Sequence, residues 1–159
     1  MKKMEDKKME TNREHMRLEM ESLSRNEEFA RVVTAVFMSR LDPTLEEVDD
    51  VKTAVSEAVT NAVIHGYRGD RGTIYLDLTA DMEERTLTVA VKDCGVGIAD
   101  VKQAMEPMFT TDPEGERSGM GFSFMEAFMD QVEVESEPNH GTLVTMKKSI
   151  GRGRRWMRP

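Results

Sequence analysis

The sequence predicts an α+β fold, a two-layer sandwich in which helices cover one face of a mixed, mostly antiparallel β-sheet. Three observations predict it. Two runs of alternating apolar residues near the middle of the chain are typical of an antiparallel hairpin with one buried face. Two segments before them carry apolar residues at helical spacing. The strand and helix patterns are segregated along the chain rather than strictly alternating, which favours α+β organisation.

The composition is that of one compact, acidic domain. The chain has 159 residues, of which 38% are hydrophobic and 33% are charged, and its net charge is −8. Residues 1–10 and 151–159 are rich in Lys or Arg, so the intervening chain is more acidic than the total suggests. Such a body repels the nucleic-acid backbone and attracts basic protein surfaces. We therefore expect protein partners and no direct contact with nucleic acid.

Several features predict a cytoplasmic protein. No apolar run approaches the roughly 20 residues that span a membrane, and the charged N-terminus lacks the apolar region of a signal peptide. The single cysteine, Cys94, excludes an internal disulfide and fits a reducing compartment. We expect a charged, disordered N-terminal extension over residues 1–15, one folded domain over 16–149 and an Arg-rich tail over 150–159.

The opening of the domain predicts a strand followed by a helix. Residues 16–20 alternate Met, polar, Leu, polar, Met, which indicates the strand. Ser24 and Glu27 match a capping box at the start of the helix. Its apolar residues at helical spacing are Phe29, Val32, Val33, Val36 and Phe37.

A second helix follows, with clear start and stop signals. Thr44 and Glu47 form another capping-box pattern, and Gly66 is placed as a C-terminal stop. One apolar stripe runs between them and comprises Leu45, Val48, Val51, Val55, Ala58, Val59 and Ala62.

The second half predicts two hairpins that enclose two helices. Alternation over 74–91 gives the first hairpin, and the Asn-His-Gly turn at 139–141 gives the second. Between them we expect a short helix near 100–105, a polar loop over 107–118 and a helix over 119–130.

A carboxylate and an amide stand one helical turn apart on the second helix. Glu57 and Asn61 point nearly opposite Val55, the centre of the buried stripe. Such a pair can serve a nucleophile and a magnesium ion. An ordinary solvated helix face gives the same spacing, so this motif alone is weak.

Two glycine motifs follow. Asp93, Gly95 and Gly97 come directly after a predicted strand, where Asp-x-Gly-x-Gly suits a tight turn or a loop in which Asp accepts a hydrogen bond from a base amine. Gly119 and Gly121 open a predicted helix, whose free N–H groups can bind phosphates. No Lys-Ser/Thr pair follows them, so this is not a Walker A loop. The three motifs in this order make an ATP site the leading hypothesis.

These motifs resemble the N, G1 and G2 boxes of the GHKL ATPase/kinase superfamily, and Gly141-Thr142 resembles its terminal Gly-Thr pair. Longer strings are similar to a branch of that superfamily, the sporulation anti-sigma factors that are also serine kinases. These strings are 26–32, 41–44, 55–67, 109–111 and 116–122. The resemblance runs from about residue 16 to residue 146 and implies the two-layer GHKL (Bergerat) fold.

The resemblance implies a role for each motif residue. Glu57 would be the general base toward a serine hydroxyl, and Asn61 would hold Mg²⁺. Asp93 would read the adenine of ATP or ADP, helped by Thr142. Arg117 would reach the γ-phosphate. The glycines expected to shape the pocket are Gly95, Gly97, Gly119 and Gly121, the further nucleotide contacts are Thr110, Ser118 and Met120, and the residues on the partner-binding face are Arg31, Glu116 and Arg117.

The resemblance also implies the partners. It predicts a homodimer that sequesters a sporulation sigma factor when ATP is bound and phosphorylates a serine of an anti-anti-sigma factor. Two alternatives stay open. One is a nucleotide-gated anti-sigma binding module without kinase activity, and the other is a GHKL ATPase that uses Glu57 to activate water.

Overall fold

The described residues form one five-stranded sheet with helices packed on one face. The structure is a computed structural model that describes residues 12–106 and 121–151. The strands lie in the order β1-β2-β3-β5-β4. Their bounds are Arg13–Glu21 (β1), Thr73–Asp81 (β2), Thr86–Asp93 (β3), Gln131–Glu137 (β4) and Gly141–Ser149 (β5). The helices are Asn26–Met38 (α1), Leu45–Asn61 (α2), Val101–Ala104 (α3) and Gly121–Phe128 (α4).

All strand pairs among the described residues are antiparallel. The β2–β3 hairpin pairs Ile74 with Asp93, and β5 lies beside β3 so that Asp93 is opposite Thr142. The edge strand β4 pairs only with β5, its hairpin partner, so no parallel contact forms with β3. The predicted α+β sandwich and both predicted hairpins are confirmed, whereas the parallel pair that a mixed sheet would contain is absent from these five strands.

The core lies between the helices and one face of the sheet. Alternate residues of the central strands are buried there, because successive side chains of a strand point to opposite faces. They are Ile74, Leu76, Leu78 and Ala80 of β2, Leu87, Val89 and Val91 of β3, and Val144 and Met146 of β5. The opposite face is polar. On it, Arg17 donates two hydrogen bonds to Asp77, with N–O distances of 2.8 and 3.0 Å.

Helix α1 buries only part of the apolar set that the sequence places at helical spacing. Its buried residues are Ala30, Thr34, Phe37 and Met38. Phe29, Val32 and Val36 are 65%, 53% and 65% exposed. Phe37 of the predicted set is buried and Val33 packs against the core, so two of its five residues face inward. The predicted capping box is wrong, since the residue before the helix is Arg25 and makes no side-chain cap.

Helix α2 follows its sequence signals at the start and departs from them at the end. Thr44 N–H donates to Glu47 Oε1 at 3.0 Å and Glu47 N–H to Thr44 Oγ1 at 3.1 Å, which confirms the capping box. The helix ends at Asn61, and a π-helical turn, Ala62–Gly66, continues it. Gly66 therefore ends the helical segment as predicted, but as the last residue of the π-helical turn and not as the residue after the helix. It is required because a Cβ atom there would lie 2.8 Å from the carboxyl carbon of Asp93.

The ends of the domain are only partly described. Strand β1 begins at Arg13, within the range 1–15 that the sequence assigns to the extension, while residues 1–11 and 152–159 lie outside the described part of the chain. The division into extension, domain and tail stays a prediction. Across residues 12–106 and 121–151, no helix has the length and apolar character needed to cross a bilayer.

The packing of α1 gives a stability test with an internal control. Phe37 is 1% exposed and Phe29 is 65% exposed on the same helix. We expect Phe37→Ala to lower the free energy of unfolding by about 3–5 kcal/mol, because it leaves a cavity in the core. Phe29→Ala should change it by less than about 0.5 kcal/mol. Urea unfolding followed by circular dichroism measures both, and equal losses would contradict this orientation of α1.

Candidate functional site

A cavity of about 500 Å³ lies between the end of α2, the loop after β3 and the β4–β5 hairpin. Its lining is mainly apolar, with a few polar groups from separate elements. Those polar groups include Asn61, Asp93, Asn139 and Thr142. A concave apolar site with a small number of convergent polar groups is the usual form of a small-molecule pocket.

The carboxylate of Asp93 is the buried acid of this cavity. The residue is 5% exposed at the last position of β3, and its Oδ1 accepts a hydrogen bond from Gly95 N–H at 3.0 Å. Burial raises the pKa of Asp93, while the backbone N–H groups of Gly95 and Thr142 oppose that rise. A buried carboxylate above its pKa offers acceptors only, which suits an amino group of a ligand.

The loop after β3 is fixed by backbone hydrogen bonds at both of its sides. Cys94 N–H donates to the hydroxyl of Tyr67 at 2.8 Å, and Val96 N–H donates to Gly66 O at 2.9 Å. From the other side, Asn139 N–H donates to Val96 O at 2.7 Å. The loop is thus attached to the end of α2 and to the turn of the β4–β5 hairpin.

The two glycines of this loop are required by close backbone contacts. A Cβ atom at Gly95 would lie 2.1 Å from Gly66 O. Gly97 has a φ of +72°, and a Cβ there would lie 2.2 Å from Glu137 O. Any side chain at either position would push the loop away from its supports. The resemblance implies that these glycines shape the pocket, and their contacts with the protein add a structural requirement.

Thr142 completes the polar group around Asp93. It is 8% exposed at the second residue of β5, opposite Asp93 in the ladder. Its hydroxyl lies 2.8 Å from Ser136 Oγ. Two acceptor-bearing side chains from adjacent strands therefore lie side by side in the cavity wall.

Glu57 and Asn61 lie beside the start of α4. Both are half-buried, so their helix face is not fully solvated. A Cβ atom at Gly121 would lie 3.0 Å from Asn61 Nδ2 and 3.3 Å from Glu57 Oε2. The missing side chain of Gly121 thus lets the first residue of α4 approach this pair. Asn61 lines the cavity itself, one helical turn beyond Glu57.

The cavity brings together some of the residues singled out from the sequence. Asn61, Asp93, Gly97 and Thr142 line it, and Glu57 lies one helical turn from Asn61. Arg31 is elsewhere, on α1. The remaining candidates lie outside the described residues: Thr110, Glu116, Arg117, Ser118, Gly119 and Met120.

The comparisons with known proteins agree with this geometry. The model of the histidine kinase-like ATPase domain matches residues 21–148. An anti-sigma F factor of Clostridium novyi (strain NT) is 55% identical over 85% of this chain and 94% of its own length. One of Clostridium acetobutylicum is 56% identical over 85% of this chain and 93% of its own length.

The chain belongs to the anti-sigma F factor family.

Membership of the anti-sigma F factor family confirms the predicted GHKL-type fold. It also makes the chain a nucleotide-binding protein at the level of the domain, since that domain is an ATPase fold. Among solved structures, the histidine kinase domain of the Erythrobacter litoralis EL346 blue-light activated histidine kinase gives a TM-score of 0.48 at 23% identity, covering 67% of this chain and 46% of that longer one.

Three residues near the site were missed by the sequence argument. The hydroxyl of Tyr67 accepts a hydrogen bond from Cys94 N–H, and the hydroxyl of Ser136 contacts that of Thr142. Asn139, whose φ is +66°, donates its backbone N–H to Val96 O. The Asn-His-Gly turn signal marked the hairpin that contains Asn139, although not its contact with the loop. Nothing local marks Tyr67, because its partner Cys94 lies 27 residues further along the chain. Ser136 and Thr142 face each other across the β4–β5 hairpin, but no turn or alternation signal indicates that their hydroxyls meet.

The burial of the Asp93 carboxylate should change how the free energy of unfolding depends on pH. Since the folded-state pKa of Asp93 is raised above its ordinary value of 3.8, the folded protein holds this proton more tightly than the unfolded chain. Asp93 therefore lowers stability as pH rises through that window, with the full penalty above the folded-state pKa. We expect Asp93→Asn to gain stability relative to wild type as pH rises, measured by urea unfolding at successive pH values.

Asp77 is the control, because its pKa is shifted in the opposite direction from that of Asp93. Hydrogen bonds from Arg17, with help from His15, hold the pKa of Asp77 below its ordinary value. This carboxylate stabilises the fold above its unfolded-state pKa, and that stability is lost as pH falls through the folded-state pKa. Asp77→Asn should therefore lose stability relative to wild type as pH rises. A pH-independent difference for Asp93→Asn would contradict the burial argument.

Proposed function

We propose that this member of the anti-sigma F factor family is an ATP-dependent protein serine kinase that also sequesters a sigma factor. One observation supports this most strongly. The acceptors Asp93 and Thr142 line the same cavity as Asn61, and Glu57 lies one helical turn before Asn61. A base, a phosphate chain and an acceptor hydroxyl would occupy such a site in that order.

The proposed nucleotide orientation follows from the chemistry of these residues. Asp93 and Thr142 would accept hydrogen bonds from the adenine amino group, and the apolar wall between them and Asn61 would pack on the base and sugar. The phosphates would then lie toward Asn61 and the first turn of α4, where free backbone N–H groups favour anions. The same site would hold ADP after transfer.

The residues at the phosphate end fit a magnesium ion. The amide oxygen of Asn61 is a hard ligand of the kind that Mg²⁺ prefers, and this ion is usually held by one or two protein oxygens together with substrate phosphates and water. The described residues contain no cluster of three or more His, Cys, Asp or Glu, so an all-protein cage is not expected there. When bound, the ion would neutralise charge on the phosphates.

Glu57 would act as the general base. It lies on α2, whose buried face packs in the core through Val51, Val55 and Val59, so its backbone position is rigid. Its carboxylate would take the proton from the serine hydroxyl as the oxygen attacks the γ-phosphorus. Phosphoryl transfer depends mainly on positioning and charge stabilisation, and the closeness of Glu57, Asn61 and the start of α4 supports such a role. By resemblance, Arg117 would contact the γ-phosphate, and Thr110, Ser118, Gly119 and Met120 would help to enclose the nucleotide.

Arg31 would contribute to partner binding from α1. Its Nε lies 2.8 Å from Glu27 Oε1, and Glu27 also accepts a hydrogen bond from Ser56, the residue before Glu57. The Arg31 side chain is 37% exposed, which leaves part of it for a partner. The outward face of α1 carries the exposed side chains of Phe29, Val32 and Val36, an apolar surface suited to a protein contact.

The partners proposed here follow from the family. The relatives are named anti-sigma F factors, so we propose a sporulation sigma factor as the sequestered protein. An anti-anti-sigma factor would supply the serine substrate, and the working unit would be a homodimer with Glu116 and Arg117 also on the partner face. Because sigma factors act on transcription, the proposed location is the cytoplasm.

Replacing the proposed base separates the kinase from its alternatives. We expect Glu57→Ala to slow serine phosphorylation by about 10²–10⁴-fold, because proton transfer is lost. ATP affinity, measured by calorimetry, should change little. Glu46→Ala, at the exposed start of the same helix, is the matched control and should keep wild-type rates.

The outcome with radiolabelled ATP and an anti-anti-sigma factor distinguishes the three functions. Phosphate on the protein that depends on Glu57 supports the kinase. Phosphate released to water at the same rate without the acceptor indicates an ATPase. Nucleotide-dependent sigma-factor binding without either reaction indicates a binding module.

Partner binding should be separable from nucleotide binding. We expect Arg31→Glu to weaken sigma-factor binding at least about tenfold, since it reverses a charge at a proposed contact, while ATP affinity stays at the wild-type value. Arg71→Glu, at an exposed site after α2, serves as the charge-matched control. Equal sigma-factor affinities for wild type and Arg31→Glu, measured by surface plasmon resonance, would remove Arg31 from the interface.

A further inference from the structure

Ser136 is the residue through which three parts of the cavity wall are joined. It lies on β4, outside the cavity lining, and is half-buried. Its Oγ lies 2.7 Å from Ile98 N, 3.0 Å from Gly141 O and 2.8 Å from Thr142 Oγ1. One hydroxyl thus contacts the loop after β3, the hairpin turn and the threonine at the base-binding end of the cavity.

The chemistry of the three partners determines which atom donates in each hydrogen bond of the Ser136 hydroxyl. A backbone N–H only donates, so Ser136 Oγ accepts from Ile98. A backbone carbonyl only accepts, so Ser136 gives its single proton to Gly141 O. The contact with Thr142 must then be donated by the threonine hydroxyl. This arrangement uses both lone pairs and the one proton of Ser136, which is the full capacity of a hydroxyl.

The hydroxyl of Thr142 is therefore held as an acceptor on its cavity side. Its proton points to Ser136, and its lone pairs remain for a ligand. Asp93 beside it also offers an acceptor. Two acceptors together match an amino group, which donates two hydrogens, and oppose a carbonyl oxygen at the same place.

We propose that Ser136 is a positioning residue that sets the preference of this site for a 6-amino purine over a 6-oxo purine, by holding the Thr142 hydroxyl in its acceptor orientation. The inference rests on the proposed function, since it assumes that the cavity binds the nucleotide base. Ser136 acts through Thr142 and does not touch the ligand. Without Ser136, the Thr142 hydroxyl is free to rotate and can donate to a carbonyl oxygen.

The test compares ATP with inosine triphosphate, which carries an oxo group where adenine carries its amino group. Dissociation constants for both, with Mg²⁺, are measured by calorimetry on the full chain. Wild type should prefer ATP. In Ser136→Ala the ratio of the two affinities should fall by about three- to tenfold, corresponding to one neutral hydrogen bond. Ser136→Thr keeps the hydroxyl and should keep the wild-type ratio.

Two further variants separate positioning from stability. Thr145→Ala removes a hydroxyl from the same strand as Thr142 on the opposite face of the sheet, and its ratio should equal that of wild type. Ser136→Cys preserves the side-chain size with weak hydrogen bonding, so its ratio should fall even if the alanine variant folds poorly.

The possible results separate the role of Ser136 from the proposed binding of a nucleotide in the cavity. A proportional loss of affinity for both nucleotides in Ser136→Ala and Ser136→Cys, with an unchanged ratio, would show a merely structural role and overturn the inference alone. A wild-type chain that binds neither nucleotide would overturn the proposed function and the inference together.

Discussion

Burial of the Asp93 carboxylate at the end of a central strand is the constraint on which the site depends. A buried carboxylate is costly unless donors face it, and the loop after β3 supplies one through Gly95 N–H. That requirement brings the loop close to the end of α2, where Gly66 leaves room for the carboxylate and accepts from Val96 N–H. The loop is then closed from the other side by the β4–β5 hairpin. The cavity is the space that these attachments leave beside the buried acid.

Helix α2 carries Glu57 and Asn61, the proposed base and metal ligand, and leads toward Asp93. Its capping box fixes the start, and Glu47 of that box also accepts from Gly151 N–H at 2.7 Å, which attaches the end of β5 to the helix. Its far end presents Glu57 and Asn61 and then widens into a π-helical turn, a feature often found at functional sites. One rigid helix therefore relates the proposed base and metal ligand to Asp93.

The sequence predicted those features that depend on local pattern. Both hairpins, the capping box of α2 and the neighbourhood of Asn61 and Asp93 follow from alternation, turn residues and motif order. The apolar spacing of α1 was only partly informative, because Phe37 is buried beside Ala30 and Thr34 while Phe29, Val32 and Val36 are exposed. The helical segment does stop at Gly66, but the sequence could not show the second reason for a glycine there, which is the contact with Asp93, 27 residues away in the chain. Such long-range steric requirements leave no periodic signal.

A crystal structure of the chain with Mg²⁺ and a non-hydrolysable ATP analogue tests the central claim most directly. The account predicts the adenine amino group within hydrogen-bond distance of the Asp93 carboxylate and the Thr142 hydroxyl. It also predicts the terminal phosphates beside Asn61 and the first turn of α4. A nucleotide bound outside this cavity, or bound within it with the phosphates at Asp93, would contradict the account.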